Sequence, residues 1–122
     1  MKQFTTPEQT AKLIELGFEK PKGWCAEGVS SRTQIYKRKE DDEGFNYSIG
    51  ELIEMLPIYC WYRYGDRVFM ALFQIKFYLC RWHIVYRKLG ENHCGHLYDC
   101  GSDELIDALY DMIVKLKEEG VI

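Results

Sequence analysis

The sequence predicts an α+β fold in which three helices pack mainly on one face of a three- to four-stranded antiparallel sheet. Three observations support this fold class. Apolar residues recur at helical spacing in three segments that have helix-capping residues at their starts. Residues 58–88 contain ten of the eighteen aromatic residues and no proline, which is typical of β-strands. Within that region, apolar and polar residues alternate as in a half-buried strand.

The composition indicates one globular domain spanning residues 1–122. The chain has 122 residues, of which 47% are hydrophobic and 29% are charged. A chain of this length buries roughly two-thirds of its extended surface on folding, so it needs neither a metal ion nor a disulfide to form a core. The five cysteines are an odd number. We expect them to be thiols.

Two short helices are predicted from capping boxes, in which a hydroxyl side chain caps the helix and a side chain three residues later bonds back to the cap. A glycine or a proline ends each helix, because glycine adopts the left-handed closing conformation and proline cannot continue the backbone ladder. The boxes are Thr6 with Gln9 and Ser48 with Glu51, and the stops are Gly17 and Pro57.

A third helix is predicted near the end of the chain. Ser102 is its expected cap, and Gly120 its expected stop. Six apolar residues fall on one side of this helix. They are Leu105, Ile106, Leu109, Met112, Ile113 and Leu116.

The segment between the first two helices is poor in apolar periodicity. Residues 37–46 are predicted to form a flexible polar loop, because this stretch is a run of mixed charges. A short strand around residues 33–36 is the only regular element expected within residues 19–46.

The predicted sheet occupies residues 58–88 and one short edge strand. The first strand covers residues 58–64, and a turn at Gly65 and Asp66 leads to a second strand from Val68. A single strand over 68–88 would span roughly 70 Å, so we place a break near Cys80 and Arg81. Residues 82–88 and 95–98 are the remaining strands. Residues 68–80 would also suit a helix, and this alternative stays open.

The location is expected to be cytoplasmic. The first residues lack the apolar stretch of a secretory signal. The longest apolar region, residues 68–86, is interrupted by polar and charged side chains that are costly in a bilayer, so no membrane span is expected.

Three segments resemble a group of short, uncharacterised proteins of prophage-like or mobile-element regions in Bacteroides-type gut bacteria. The segments are TTPEQTAKLIELGF at 5–18, YSIGELIEMLP at 47–57 and the stretch from Ser102 to Ile122. The resemblance covers the helices and not the sheet. It implies an intracellular accessory protein and supplies no activity, cofactor or functional residue.

Cysteine and histidine side chains are the strongest candidates for a metal-binding or catalytic site. They could surround zinc tetrahedrally, or pair as a nucleophile and its base. The sequence has no Cys-x-x-Cys pair, and strand residues three apart point to opposite faces, so neither a metal, a cofactor nor a catalytic residue is favoured. The zinc candidates are Cys80, His83, Cys94, His96 and Cys100. The nucleophilic alternative joins Cys94 or Cys100 to His83, His93 or His96.

Basic and aromatic residues are mixed in the predicted sheet. Residues 63–88 contain six basic residues against Asp66, whereas residues 89–122 contain two against eight acids. Cations mixed with stacking surfaces are typical of proteins that bind single-stranded nucleic acid, although the net charge of −3 opposes this function. The candidates for such contacts are Arg63, Arg67, Lys76, Arg81, Trp82 and Arg87.

The favoured function is binding rather than catalysis. We expect a small accessory protein whose exposed aromatic sheet face or edge strand meets a protein partner or a second copy, because exposed apolar sheet surface needs a partner. A nucleic-acid-binding accessory protein is the alternative. A small zinc-stabilised module is the third hypothesis.

Overall fold

A computed structural model describes residues 2–21, 46–90 and 95–122 in full, and the backbone of 24–29 and 32–37. It confirms the α+β fold with three helices and a four-stranded antiparallel sheet. The elements in chain order are α1 (Pro7–Glu15), β1 (Trp24–Val29), β2 (Arg32–Lys37), α2 (Ile49–Met55), β3 (Tyr59–Tyr64), β4 (Arg67–Tyr78), β5 (Arg81–Lys88), β6 (His96–Ser102) and α3 (Leu105–Glu118).

Both predicted capping boxes are present. Thr6 Oγ1 accepts from the backbone N–H of Gln9 at 3.2 Å, and the side chain of Gln9 accepts from the backbone N–H of Thr6 at 2.9 Å. Ser48 and Glu51 form the equivalent pair at the start of α2. These local bonds fix where α1 and α2 begin.

The start of α3 differs from the prediction. Its N-cap is Glu104, which makes no side-chain capping bond. The prediction that Ser102 is the N-cap is therefore wrong. Ser102 is instead the last residue of β6, where it pairs with Trp82. The end of α3 is as predicted, because Gly120 has a φ of 75° and Val121 donates its N–H to the carbonyl of Leu116.

The sheet is a meander with the strand order β3-β4-β5-β6. The turn at Gly65 and the break near Cys80 are confirmed. Leu79 and Cys80 form the β4–β5 turn with φ values of 52° and 59°, the left-handed conformation that tight hairpins require. The helical alternative for 68–80 is wrong, because β4 runs unbroken from Arg67 to Tyr78.

The strand register separates the sheet into two faces. Opposed residues of an antiparallel pair share a face, and successive residues alternate between faces. Cys60, Ala71, Ile84 and Tyr86 are buried on the face that packs against the helices. On the helix side, the fully buried core residues of α3 are Ile106, Ala108, Leu109, Met112, Ile113 and Leu116.

A second sheet lies within residues 19–46, for which only one short strand was predicted from the sequence. β1 and β2 pair as an antiparallel hairpin from Trp24 opposite Lys37 to Val29 opposite Arg32. The predicted strand at 33–36 is therefore confirmed as part of β2, whereas the expectation that it is the only regular element within residues 19–46 is wrong, because β1 precedes it. Thr33, Ile35 and Tyr36 of β2 are β-prone, whereas β1 contains only Trp24 and Val29 of this kind. The predicted flexible loop at 37–46 falls almost entirely outside the described residues.

Of the helices in the described residues, none combines the length and the apolar character needed to span a membrane.

Candidate binding face

The side of the four-stranded sheet opposite the helices, which we call the open face, carries most of the candidate residues. Its members follow from the register, because they alternate with Ala71 and Ile84, which face the helices. Most of them are exposed or half-buried, and Val85 is fully buried. They are Tyr59, Trp61 and Arg63 of β3; Val68, Met70, Leu72, Gln74, Lys76 and Tyr78 of β4; Arg81, His83, Val85 and Arg87 of β5; and His96, Asp99 and Gly101 of β6.

The β3 end of the open face is aromatic and exposed. Trp61 is 62% exposed and Tyr59 is 45% exposed, and their rings meet edge to face with centroids 5.3 Å apart. Val68, opposite Arg63, is also exposed. Large apolar side chains grouped on an exposed sheet surface are typical of an interaction site.

A polar cluster occupies the β6 side of the same face. Asp99 lies between two imidazoles, with His83 Nδ1 at 3.2 Å from one carboxylate oxygen and His96 Nδ1 at 3.5 Å from the other. Lys76 Nζ lies 3.5 Å from Nε2 of His96. The cluster therefore joins β4, β5 and β6 through side chains as well as through the backbone ladder.

The position of His83 depends on two neighbours. The ring of Tyr78 stacks on one side of the imidazole, and Gly101 lies opposite His83 in the register. A Cβ atom at Gly101 would lie 3.1 Å from the imidazole ring. A larger residue at position 101 would thus require the ring to shift by a few tenths of an ångström.

The structure brings four of the six nucleic-acid candidates onto the open face and places two elsewhere. Arg63, Lys76, Arg81 and Arg87 share the open face. Arg67 and Trp82 belong to the helix-facing side, where Trp82 packs on Phe77 with centroids 4.8 Å apart. The sequence prediction grouped all six residues because they are close along the chain, without regard to the face of the strand on which each one lies.

The zinc candidates do not converge in the described part of the chain. Cys80 is exposed in the β4–β5 turn, and Cys94 lies outside the described residues. His83 and His96 lie on the open face, whereas Cys100, opposite the buried Ile84, faces the helices. Among the described residues, no group of three or more His, Cys, Asp or Glu side chains is arranged to hold a metal ion.

The nucleophilic pairing meets the same geometric obstacle. Cys100 points away from His83 and His96, so neither imidazole lies on its side of the sheet. Burial raises the pKa of the Cys100 thiol, and it also raises that of Cys60. Both thiols are therefore held in the protonated, unreactive form at neutral pH.

A cavity of about 220 Å³ lies between the end of α1 and α2. Its lining includes Phe18, Glu19, Tyr47, Glu51 and Met55. The hydroxyl of Tyr47 donates to the backbone carbonyl of Glu19. Burial, with the charges of Glu51 and Glu19, raises the pKa of Tyr47 to about 12, so this tyrosine stays protonated at neutral pH. These contacts give the cavity walls a structural role.

Three residues of the open face were missed by reasoning from the sequence: Tyr59, Trp61 and Asp99. The sequence did contain a signal for Tyr59 and Trp61. Tyr59, Trp61 and Arg63 are spaced two residues apart in one predicted strand, so they share a face. No local signal marks Asp99, which becomes important only because β5 brings His83 beside it.

Together, the fold and this surface define a two-layer α+β protein whose sheet is covered by helices on one face, while the other face carries exposed side chains such as Trp61 and Arg87 around the buried Val85. The sequence matches no known protein-family model, no curated protein and no solved structure.

Proposed function

We propose that this is a binding protein that associates with a second copy of itself through the outer edge of β3. The observation that supports the proposal is that, within the described residues, no strand pairs with the outer edge of β3. In the four-stranded sheet, β3 pairs only with β4, and within the described residues β1 and β2 form a separate sheet. A strand edge of this kind is a template for another strand.

The backbone groups available for pairing can be identified. The N–H of Phe73 donates to the carbonyl of Ile58 at 2.9 Å, so position 58 is hydrogen-bonded to β4. Because bonded positions alternate in antiparallel strands, the N–H and C=O groups of Tyr59, Trp61 and Arg63 point away from β4. These three residues offer their backbone groups to a partner strand.

The two edges of the sheet differ in their protection. Edge strands commonly avoid association by bulges, charges or prolines. β6 has an irregularity in its pairing near Arg87 and carries the charged Asp99. β3 pairs in regular register over all six residues, contains no proline and has Arg63 as its single charge. Association is therefore expected at β3 rather than at β6.

The side chains at this edge favour burial. Ile58 is 73% exposed, and Trp61 and Tyr64 are exposed to similar extents. Covering this surface would remove apolar area from water at roughly 25 cal/mol per Å². The edge thus offers hydrophobic contacts in addition to backbone hydrogen bonds.

One antiparallel register uses all three outward-facing residues. A two-fold axis at Trp61 places this residue opposite its own copy and places Tyr59 opposite the partner's Arg63. The first contact is an aromatic cross-strand pair and the second a cation–π pair, both of which are favourable. The axis is perpendicular to the sheet, so the helices of both copies lie on the same side of one continuous sheet.

Sedimentation velocity over a range of protein concentrations tests this proposal. The expected result is a reversible monomer–dimer equilibrium at micromolar concentrations, since an interface of one strand and its flanking side chains is small. Trp61→Lys places a charge at the centre of the edge and is expected to give a monomer. Leu79→Lys is the matched control, because it adds the same charge at an exposed apolar residue in the β4–β5 turn.

Hydrogen exchange identifies the edge directly. Amides of Tyr59, Trp61 and Arg63 are expected to become protected as the concentration rises, while those in β6 do not change. A monomer at every concentration would contradict the proposal. So would a dimer that Trp61→Lys leaves intact.

A further inference from the structure

The charges of the protein are segregated between its two layers. The four strands β3–β6 contain six lysine and arginine residues and one acid, Asp99. The three helices contain seven acids and three lysines. Although the net charge of the chain is −3, the four-stranded sheet is basic and the helices are acidic. A field of this kind attracts an anionic partner to the sheet.

The basic residues of the open face follow a track along β4. Relative to β4, Arg63 lies opposite position 68, Arg87 opposite position 72 and Arg81 opposite position 78, while Lys76 is on β4 itself. At about 3.3 Å per residue, the track extends for roughly 33 Å. Several successive phosphates of an extended strand would fit along this length.

The cations at one end of the track are available to a ligand. Within the described residues, no carboxylate lies within salt-bridge distance of Arg63 or Arg87. At the other end, Arg81 Nε lies 3.7 Å from a carboxylate oxygen of Asp103, and both side chains are largely exposed. Such an exposed ion pair is weak and is readily exchanged for a phosphate.

Aromatic rings lie beside this track. Trp61 and Tyr59 are exposed near Arg63, and Tyr78 is partly exposed beside Arg81. Flat aromatic surfaces next to a line of cations distinguish a nucleic-acid site from a site for an acidic peptide, because nucleobases stack on rings. Arg63, Arg81 and Arg87 are exposed, as single-stranded binding requires, whereas Lys76 is half-buried and Val85, between Arg87 and His83 on the same face, is fully buried.

We infer that the open face binds single-stranded nucleic acid, with Arg63, Arg87, Lys76 and Arg81 contacting phosphates and with Trp61 and Tyr59 stacking on bases. This inference goes beyond self-association and does not depend on it, because every group in the track belongs to one copy. If β3 pairs with β3 of a second copy, the two tracks join on the same side of the sheet.

Fluorescence anisotropy with labelled twelve-nucleotide oligothymidine and oligouridine tests the inference. Binding is expected at low salt and is expected to weaken steeply as salt rises, because phosphate contacts release counterions. Arg87→Gln and Lys76→Gln are each expected to weaken binding about two- to fivefold. Each is also expected to reduce the slope of log K against log salt by about 1.

Arg67→Gln is the matched control, because Arg67 is an exposed arginine of β4 that lies on the other side of the sheet. It is expected to leave the affinity unchanged. Sedimentation of Arg87→Gln separates the two proposals, since this variant retains an intact β3 edge. No binding of either oligonucleotide at low salt would overturn the inference. Equal losses from Arg87→Gln and Arg67→Gln would overturn it too, as would tighter binding of polyglutamate than of the oligonucleotides.

Discussion

The ring of Tyr78 stacks on the ring of His83, with centroids 4.1 Å apart and planes inclined by 12°. The register pairs His83 with Lys76 rather than with Tyr78, so the stack spans a diagonal between β4 and β5. Aromatic side chains reach such diagonal neighbours. The stack fixes the imidazole whose Nδ1 lies 3.2 Å from Asp99, and it connects the β4–β5 turn to the polar cluster.

Removal of this stack should weaken the end of the β4–β5 hairpin. Tyr78→Ala is expected to lower the free energy of unfolding by about 0.5–1.5 kcal/mol, the range for an aromatic pair. Urea denaturation measures the change. Leu79→Ala is a suitable comparison, because Leu79 is 85% exposed and its truncation should change stability by less than about 0.5 kcal/mol. Equal effects of the two variants would show that the stack adds nothing.

The close approach of Gly101 to His83 can be tested by a double-mutant cycle. Gly101→Ala is expected to destabilise the protein by about 1 kcal/mol, because the new methyl group lies too close to the imidazole ring and forces it to shift. In a His83→Ala background the ring is absent, so the same substitution should cost much less. The coupling free energy between positions 83 and 101 follows from the four unfolding curves. A coupling near zero would refute the steric explanation.

Gln74 is a position where substitution should increase stability. Its side-chain oxygen is inaccessible to solvent and has no hydrogen-bond partner in the described part of the chain. An unpaired buried acceptor costs about 1–3 kcal/mol, so Gln74→Leu is expected to stabilise the fold by about 1 kcal/mol. Gln9→Leu should have the opposite effect, because Gln9 completes the capping box of α1 and donates to Asp107 at 2.8 Å. Chemical denaturation of both variants checks the signs.

Asp107 should contribute to stability in a pH-dependent manner. Burial acts to raise the pKa of its carboxyl, but hydrogen bonds from Gln9 and Lys2 and the charge of Lys2 outweigh burial and hold the pKa below its ordinary value. A carboxyl with a lowered pKa stabilises the folded state above its unfolded pKa of about 3.9. That stabilisation is lost as the pH falls through the folded-state pKa.

Asp107→Asn is therefore expected to lower the free energy of unfolding at pH 7 by about 1 kcal/mol. The difference from the wild type should shrink below about pH 4, where Asp107 becomes protonated in the unfolded chain. Asp103→Asn is the control, since the side chain of Asp103 is 89% exposed. Thermal unfolding at several pH values provides the measurement. A difference that persists unchanged in acid would exclude the ionised carboxylate as its source.

Sequence reasoning succeeded where short-range chemistry decides the structure. The capping boxes at Thr6 and Ser48 are formed by residues three apart, and the period-two alternation of β4 is contained within one strand. It failed at Ser102, whose hydroxyl suits a helix cap but which is held in β6 by pairing with Trp82. It also missed β1, whose pairing with β2 stabilises a segment that has little apolar periodicity.

The candidate site shows the same division. The basic and aromatic character of the sheet is a property of composition, and it could be recognised without coordinates. The division of the six candidates between the two faces could not be recognised from the sequence, because the sequence prediction treated neighbouring residues as one surface. The register places Arg67 and Trp82 on the opposite face from Arg63, Lys76, Arg81 and Arg87.

The sequence by itself determined the fold class, the starts of α1 and α2 and the break between β4 and β5, since each depends on residues close together in the chain. The tertiary structure alone decided which side chains share the open face and that His83, His96 and Asp99 meet there. The reason is that face membership depends on strand register, and a shift of one residue would turn every side chain of a strand to the opposite side.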